Sequence, residues 1–457
     1  MNKQEALRQL AQEEPITLEQ LLNQREKRAA RQARLLAQGG VLVCFTLNTA
    51  GAVKTCPLFT KAFEEGMRCI KEQLQWRQIP LLLEERLCGA AGEELYLLVQ
   101  GEPRQVKWLM LEIEETFPLG RLFDIDVLSA PGRKVSREEW GHPPRKCLLC
   151  EERAALCARS QRHSIALLQE KTVEMICTYF NQQFAQSIAA LCSQALLYEV
   201  AVTPKPGLVD RAGSGAHRDM DIFTFQQSAC ALTPYFTDCA LWGIQNPALS
   251  PAELFAGLRY PGRRAEQAMY QATQGVNTHK GVIFSMGILC AAIGRLFNGE
   301  GGWQNSQAVF SLCRQMCAGL LEDFSHLPPQ TSPGERLYRQ YGVLGARGEA
   351  AEGFPSVREI GLPVFKQCIA QGKNINDAGV VTLLHLIAVV EDTNILHRSG
   401  REGLTWLQAQ AQAALKKEDV LTAAARLDRL AVEKNISPGG CADLLALTYF
   451  FWLLENA

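Results

Sequence analysis

The chain has 457 residues, room for two or three domains and a sizeable core, and its 47% apolar and 21% charged residues are those of a soluble globular protein, not a disordered or fibrous one. Lys plus Arg is 47 against 48 for Asp plus Glu; the net charge of −1 excludes a global positive field for nucleic acid, so any anion site must be local. No apolar run reaches the length of a membrane span, and the longest, Val380 to Val390, has His385 at its centre. The opening MNKQEALRQLAQEE is charged and helix-like and lacks the apolar stretch of a signal peptide. Sixteen cysteines, scattered and often on apolar faces, read as small buried thiols, and the expected setting is the reducing cytoplasm.

In chain order, Val41 to Gly51, Glu94 to Gly101 and Arg121 to Leu128 read as short strands, with helical spacing over Pro57 to Trp76 and Pro103 to Thr116 between them. From Ile165 apolar residues recur at three and four, and strand-like alternation nearly disappears. Gly/Pro-rich breaks at Thr203 to Gly215, Leu327 to Gly334, Gly342 to Pro355 and Ser437 to Gly440 separate the helices. The expected architecture is multidomain: an α+β domain over 1–178, then a larger all-α domain over 179–457. No repeat or low-complexity linker separates them, so a continuous helix is a fitting junction near residues 170 to 182.

In GRLFDIDVL, Asp124 and Asp126 lie two apart, so a strand puts both on one face and Phe123, Ile125 and Val127 on the other. Paired carboxylates suit a Mg²⁺ ion that carries a polyphosphate, the arrangement of nucleotidyl-transfer sites; the alternative is two solvated aspartates. No Gly-Ser turn of the nucleotidyltransferase kind is visible upstream. Pro131 to His163 then carries eight basic residues, among them Arg133 and Arg145, against four acidic ones, fitting a polyphosphate or an acidic partner, or a solvated basic surface. Cys147, Cys150, Cys157 and His163 have the spacing C-x₂-C-x₆-C-x₅-H of a zinc site. The same segment also fits one amphipathic helix with three packing thiols on a stripe, and a single helix cannot wrap four ligands around one ion.

The run from GRLFDIDVL through GRKVSREEWGHPPRKCLLCEERAALCARSQRH resembles the holo-(citrate lyase acyl-carrier protein) synthase family, phosphoribosyl-dephospho-CoA transferases that attach the citrate lyase prosthetic group to a carrier-protein serine and release pyrophosphate. Asn48 to Lys54 (NTAGAVK) is similar to that family's Gly-x-x-Lys turn, without its usual proline. The resemblance implies a nucleotidyltransferase-like domain with catalytic, metal-holding Asp124 and Asp126. It also implies Lys54, Arg133 and Arg145 on the substrate, and the acyl-carrier (gamma) subunit of citrate lyase as partner.

In the C-terminal part, polar motifs interrupt the helices. TPKPGLVD carries Lys205 and Asp210; GAHRDMD carries His217, Asp219 and Asp221 at a helix start. NTHKG places Asn277 or Thr278 at an N-cap with His279 and Lys280 in the first turn, where free N–H groups and the dipole favour phosphate. GARGEAAEGFP offers Arg347 and Glu349 in a Gly-rich loop, VVEDTN carries Glu391, Asp392 and Asn394, and SPGGCAD puts Gly439 and Gly440 at a helix entry with Asp443 in its first turn, read as a cap. His385, inside an apolar helix, reads as a core histidine. A metal-polyphosphate pocket built from many helix ends accounts for this repetition.

Together these motifs resemble the triphosphoribosyl-dephospho-CoA synthase family over nearly all of 185–457. Its members join ATP to 3′-dephospho-CoA with loss of adenine. The resemblance implies attack of the dephospho-CoA 2′-hydroxyl on C1′ of the ATP ribose through an oxocarbenium-like transition state. It further implies Mg²⁺ held by Asp219, Asp221 and Asp392, phosphates held by Lys205, Asn277, His279, Lys280, Arg347, Gly439 and Gly440, and His217 or Glu391 as base. The expected protein is bifunctional, with no membrane or nucleic-acid partner. Two other readings are a metal-dependent helical hydrolase of nucleotides or ADP-ribosyl groups with an N-terminal binding module, and a zinc-containing interaction protein.

Overall fold

The computed structural model describes residues 2–299, 302–303, 305–321 and 333–457. Most of the expected Gly/Pro break at Leu327 to Gly334 lies outside the described residues. The chain divides into two compact units, Met1–Phe180 and Asn181–Ala457, with the division inside one helix, Ile165–Ala201.

The first unit runs α1 (Lys3–Gln12), α2 (Leu18–Leu36), β1 (Val41–Leu47), α3 (Pro57–Trp76), β2 (Leu81–Gly89), β3 (Gly92–Val99), α4 (Pro103–Thr116), β4 (Phe123–Ser129), β5 (Arg133–Lys134) and α5 (Ala154–Arg159), into α6 (Ile165–Ala201). The strands form one antiparallel sheet in the order β2-β3-β1-β4-β5. Both expected helices, α3 and α4, start at the proline the sequence offers for the first turn, where a missing N–H costs nothing. β2 escaped the sequence reading because its alternation is charged: Glu84, Glu85 and Arg86 occupy an edge strand, where charge deters pairing with other chains.

One sheet face, with Val43 and Phe45 of β1, Leu95 and Leu97 of β3, and Phe123, Ile125 and Val127 of β4, packs on α3 and α4. Gly66 permits the closest approach. A Cβ there would stand 2.4 Å from the Phe45 ring, which stacks on Phe63 at a centroid distance of 4.8 Å. On the opposite face Leu42, Cys44, Tyr96, Leu98 and Leu128 cluster with Leu35 and Leu36 of α2.

The second unit is helical throughout its described residues. After α6 come α7 (Ile222–Gln245), α8 (Pro251–Gly257), α9 (Arg259–Ala272), α10 (Lys280–Arg295), α11 (Ser306–Met316), α12 (Pro333–Tyr341), α13 (Gly345–Ala351), α14 (Leu362–Ala370), α15 (Ile375–Ile387), α16 (Thr393–Leu415), α17 (Val420–Glu433) and α18 (Gly439–Glu455). α10 and α18 are buried almost all round, so their apolar residues show no stripe, as expected of central helices. α13 corrects the reading of GARGEAAEGFP as a loop: Ala, Arg and Glu favour helix strongly enough to carry two glycines, and Gly348 is buried against Leu344. No described helix is long and apolar enough to cross a membrane. Of the sixteen cysteines twelve are buried and none is disulfide-bonded, as small core thiols should be.

Gly66→Ala is expected to destabilise the first unit by about 1–3 kcal/mol, because Phe45 and Phe123 have to shift. Urea unfolding followed by fluorescence would measure this, and an unchanged midpoint would contradict the packing described.

Candidate functional sites

The second unit has one polar cavity built from helix ends and loops. Its wall comprises Glu199 near the end of α6, Lys205 and His217 from the loops after it, Asn277 to Gly281 at the start of α10, Asn394 and Arg398 of α16, and Ser437, Gly439 and Asp443 at the entry to α18. Lys205 and Glu199 form an ion pair that is almost wholly buried. The Lys205 backbone N–H donates to Asp210 (3.1 Å), whose other oxygen accepts from Ala212 and Gly213 and closes the Pro-Gly loop.

His279 is 2% exposed, its Nδ1 lies 2.7 Å from the Ser228 hydroxyl, and its Nε2 has no hydrogen-bond partner. Burial, helped by the Lys205 charge, pulls its pKa down to about 3, so the ring is neutral at physiological pH. His217 Nε2 lies 2.8 Å from Ser437 Oγ and its Nδ1 3.1 Å from the Arg398 guanidinium; burial and then Arg398 lower its pKa. Asp443 abuts Gly281, where a Cβ would meet its Oδ2 at 2.0 Å, so only glycine lets α10 and α18 start side by side. Burial, then the charges of Glu199 and Asp392, push the Asp443 carboxyl well above the usual range. The cavity therefore combines two helix N-termini and cations, which suit phosphates, with a carboxyl poised to hold a proton.

Lys205, His217, Asn277, His279, Lys280 and Gly439 do converge here. His279, not Asn277 or Thr278, occupies the N-cap position of α10, although Asn277 Oδ1 accepts the Lys280 N–H at 3.3 Å. Lys205 is locked to Glu199 and is not a free phosphate donor, whereas Lys280 pairs with Glu266 at 3.0 Å but stays half exposed.

The expected Mg²⁺ triad is not assembled. Asp221 is the N-cap of α7 and accepts from the Thr224 N–H (2.9 Å) and hydroxyl (2.8 Å); Asp219 is exposed, and neither lines the cavity. Asp392, 1% exposed, is the N-cap of α16: Oδ1 accepts from Asn394 and Ile395, and Oδ2 from the Cys441 N–H at 2.8 Å. Three backbone donors thus occupy most of this carboxylate's lone pairs, and it does not line the cavity. Gly440 lies against that carboxylate, with a Cβ there 3.0 Å from Oδ2. Glu391 is on the surface, paired with Arg401, and Arg347 pairs with Glu335 away from the cavity wall. Asp443, read as a first-turn cap, lies beyond that turn. Glu199, Arg398 and Ser437 were missed because ordinary helix and loop residues carry no local signal.

In the first unit, β4 alternates as expected. Asp124 and Asp126 face away from the α3–α4 core, beside Cys44, Glu94 and Tyr96 and under Arg28 of α2. Partial desolvation and then the charge of Asp126 raise the Asp124 pKa, while Asp126 pairs with Lys134 at 2.6 Å. Two carboxylates on one strand face, with the charge of Asp126 raising the proton affinity of Asp124, fit a divalent cation. Lys54 donates to the Thr49 carbonyl (2.6 Å) in an adjoining cleft; Thr46, register partner of Asp124, lines both.

Arg145 has a structural task that the sequence did not reveal. It pairs with buried Glu114 (2.6 Å) and donates to Phe123 O (2.6 Å), while Glu114 also pairs with Arg137 and accepts the Ile125 N–H. This network pins the strand carrying the two aspartates. Arg133 is exposed and paired with Glu139. A separate cavity of about 650 Å³ is lined by Asn48, Gly51, Arg121, Arg145, Lys146, Cys147, Cys157 and His163, among others.

Each unit carries a candidate site with groups that suit phosphates, and family models identify both units as transferases. Residues 16–179 match the family model for apo-citrate lyase phosphoribosyl-dephospho-CoA transferase, and residues 185–457 the model for ATP:dephospho-CoA triphosphoribosyl transferase. The chain is 38% identical over 456 residues to Protein CitXG of Haemophilus influenzae, covering 95% of this chain and 96% of that one. It is 33% identical to Protein CitXG of Leuconostoc mesenteroides (96% and 97% covered), and 41% identical over 330 residues to the 2-(5''-triphosphoribosyl)-3'-dephosphocoenzyme-A synthase of Haemophilus ducreyi (66% and 98% covered). The chain belongs to the CitXG family, with a CitX domain preceding a CitG domain.

His279 gives a pH prediction. With its folded pKa far below the ordinary 6.5, its contribution to stability is fully present above pH 6.5 and is lost as pH falls from there toward about 3. Denaturant midpoints should fall between pH 7 and pH 5 less steeply for His279→Gln than for the wild type; equal slopes would show that the ring is not held neutral.

Proposed function

We propose that the helical unit makes the activated prosthetic group of citrate lyase and the sheet-containing unit attaches it. ATP and 3′-dephospho-CoA give 2′-(5″-triphosphoribosyl)-3′-dephospho-CoA and adenine. A serine of the apo acyl-carrier (gamma) subunit then takes the phosphoribosyl-dephospho-CoA moiety, and diphosphate leaves.

The observation that carries the synthase assignment is the cavity where the starts of α10 and α18 meet Asp443, His279 and His217. The triphosphate is held by the free N–H groups at these two helix starts together with Lys280 and Arg398. The 2′-hydroxyl oxygen bonds to C1′ as the bond from C1′ to adenine breaks. The hydroxyl proton passes to Nδ1 of His217, kept unprotonated by burial and Arg398, as the guanidinium turns from that nitrogen to the triphosphate; Asp443, kept protonated by burial and its acidic neighbours, gives a proton to adenine. Buried Lys205 balances Glu199 beside the developing positive charge on the ribose and thereby keeps the site's net charge from blocking the triphosphate.

In the sheet unit, read as nucleotidyltransferase-like, Asp124 and Asp126 are the residues to hold Mg²⁺, which supplies charge neutralisation for the triphosphate. The carrier serine oxygen attacks the phosphorus nearest the ribose, its hydroxyl proton passes to solvent, and the bond to the departing diphosphate breaks. Lys54, beside the aspartates, and the basic wall of Arg121 and Lys146 offer anchors for substrate phosphates. Cytoplasmic residence follows from this role.

The test is mass spectrometry of the apo carrier protein incubated with this chain, ATP, 3′-dephospho-CoA and Mg²⁺, with adenine release followed in parallel. Absence of a mass increase on a carrier serine would refute the assignment. Asp443→Asn is expected to slow adenine release by about 10²-fold or more. Asp219→Ala and Glu391→Ala should leave it essentially unchanged, and a large loss in either would restore that residue to the site. Asp124→Asn with Asp126→Asn should abolish the mass increase while adenine release continues; loss of both activities would point to a folding defect and against separate sites.

A further inference from the structure

Cys147, Cys150, Cys157 and His163 do not lie on one helix. Residues 147–153 form a tight reversal, closed by a bridge between Lys146 and Arg153, by the Cys147 N–H donating to Glu152 O (2.7 Å), and by the Ala154 N–H donating to Arg145 O (2.8 Å). α5 begins only at Ala154, and His163 follows it in the loop before α6. The objection that a single helix cannot surround an ion therefore falls away. Three segments, the reversal, α5 and the loop, deliver four side chains to one point.

We propose that these four residues form a closed structural zinc site. Their ligand atoms all lie within 4.8 Å of one another, with Cys150 Sγ 3.5 Å from Cys157 Sγ and 3.3 Å from His163 Nε2. Zinc bonds of about 2.3 Å to sulfur and about 2.0–2.1 Å to nitrogen require tetrahedron edges of roughly 3.5–3.8 Å, so the cluster already has nearly the dimensions of a filled shell. The C-x₂-C reversal also aims a backbone donor at a sulfur, Leu149 N–H to Cys147 Sγ at 3.5 Å. Ordinary packing thiols sit among apolar side chains, as Cys192 and Cys290 do in the helical core. Here Cys150 is only half-buried and the neighbours include Lys146, Glu151, Glu152 and Arg153. All four positions are taken by protein, so the ion has no open place for a substrate and its role is to hold the backbone.

That backbone is the wall of the 650 Å³ cavity. Cys147, Cys157 and His163 line it together with Arg145 and Lys146, and Arg121 donates to the Lys146 and Cys147 carbonyls at 3.0 and 2.6 Å. Leu148 is the residue of the reversal that packs on the core of this unit, and metal bonds add to that anchor in keeping the basic wall in place. This consequence rests on the transferase reading of the first unit; metal binding itself does not.

The full chain, purified without chelator under reducing conditions, should carry about one zinc per molecule by elemental analysis. Cys150→Ser with His163→Ala should carry none. If those variants fail to fold, Co²⁺ titration of the reduced, demetallated wild type keeps the question decidable: the visible bands of tetrahedral cobalt with a thiolate charge-transfer band are expected at one equivalent. Protein that holds no metal as purified and gives no tetrahedral cobalt spectrum would overturn the proposal, as would iron in place of zinc. Removing the zinc beforehand and assaying with excess Mg²⁺ restored should stop carrier modification while adenine release persists; bound zinc whose removal leaves carrier modification unaffected would keep the site but remove its link to the cavity.

Discussion

The helical unit depends on one buried carboxylate. Asp392 accepts three backbone N–H groups, two from the first turn of α16 and one from the first turn of α18. Each donor would otherwise be an unsatisfied helix-end group in an interior with little water, at a cost of about 1–3 kcal/mol apiece. By taking both sets, Asp392 draws two helix starts to one point and brings Asn394 and Arg398 alongside Ser437, Gly439 and Asp443. The rest of the cavity is arranged around this junction. α10 enters beside α18 because Gly281 leaves room for Asp443, and Arg398 reaches His217, which meets Ser437.

The same device recurs in the first unit with different groups. Glu114, on α4, accepts the Ile125 N–H and is balanced by Arg137 and Arg145. Lys107, two turns away on the same face of α4, donates to the Ile125 carbonyl at 3.0 Å. A polar clamp therefore grips both sides of the Ile125 peptide, between the two aspartates. Position is what the clamp supplies: a pair of carboxylates can hold an ion only if the strand cannot slide or twist beneath them. Arg145 belongs to this support, so the basic stretch from Arg133 to Arg162 divides into structural residues, surface pairs and a few cations facing a cavity.

Separate sites on one chain suit a reaction pair in which the product of the first step is a highly charged molecule that the second consumes. Tethering raises the effective concentration of the second site near the first without any contact between them. The near-zero net charge is a sum of local excesses: basic groups gather between Arg133 and Arg162, and acidic ones at Asp124 and Asp126.

Local physics was readable directly. The period-2 alternation of FDIDV placed the aspartates on one face, prolines marked the first turns of α3 and α4, and the change from alternating to helical spacing near Ile165 separated the fold classes. Motifs at helix starts pointed to the neighbourhood of the helical site, since Gly, Asn, His and Lys at such ends have few other uses. What only tertiary structure decided was the task of each charged group. Asp221 and Asp392 look like metal ligands in sequence, and in the structure they cap α7 and α16; Asp443 looks like a first-turn cap, but it lies beyond that turn, beside Gly281, where burial raises its proton affinity. Likewise the spacing of Cys147, Cys150, Cys157 and His163 is compatible with a helix and with a knuckle, and only the reversal at 147–153 chooses between them. The reason is common to all: a residue's spacing is set by its own segment, whereas its protonation, partners and access to solvent are set by segments as far as 220 residues away.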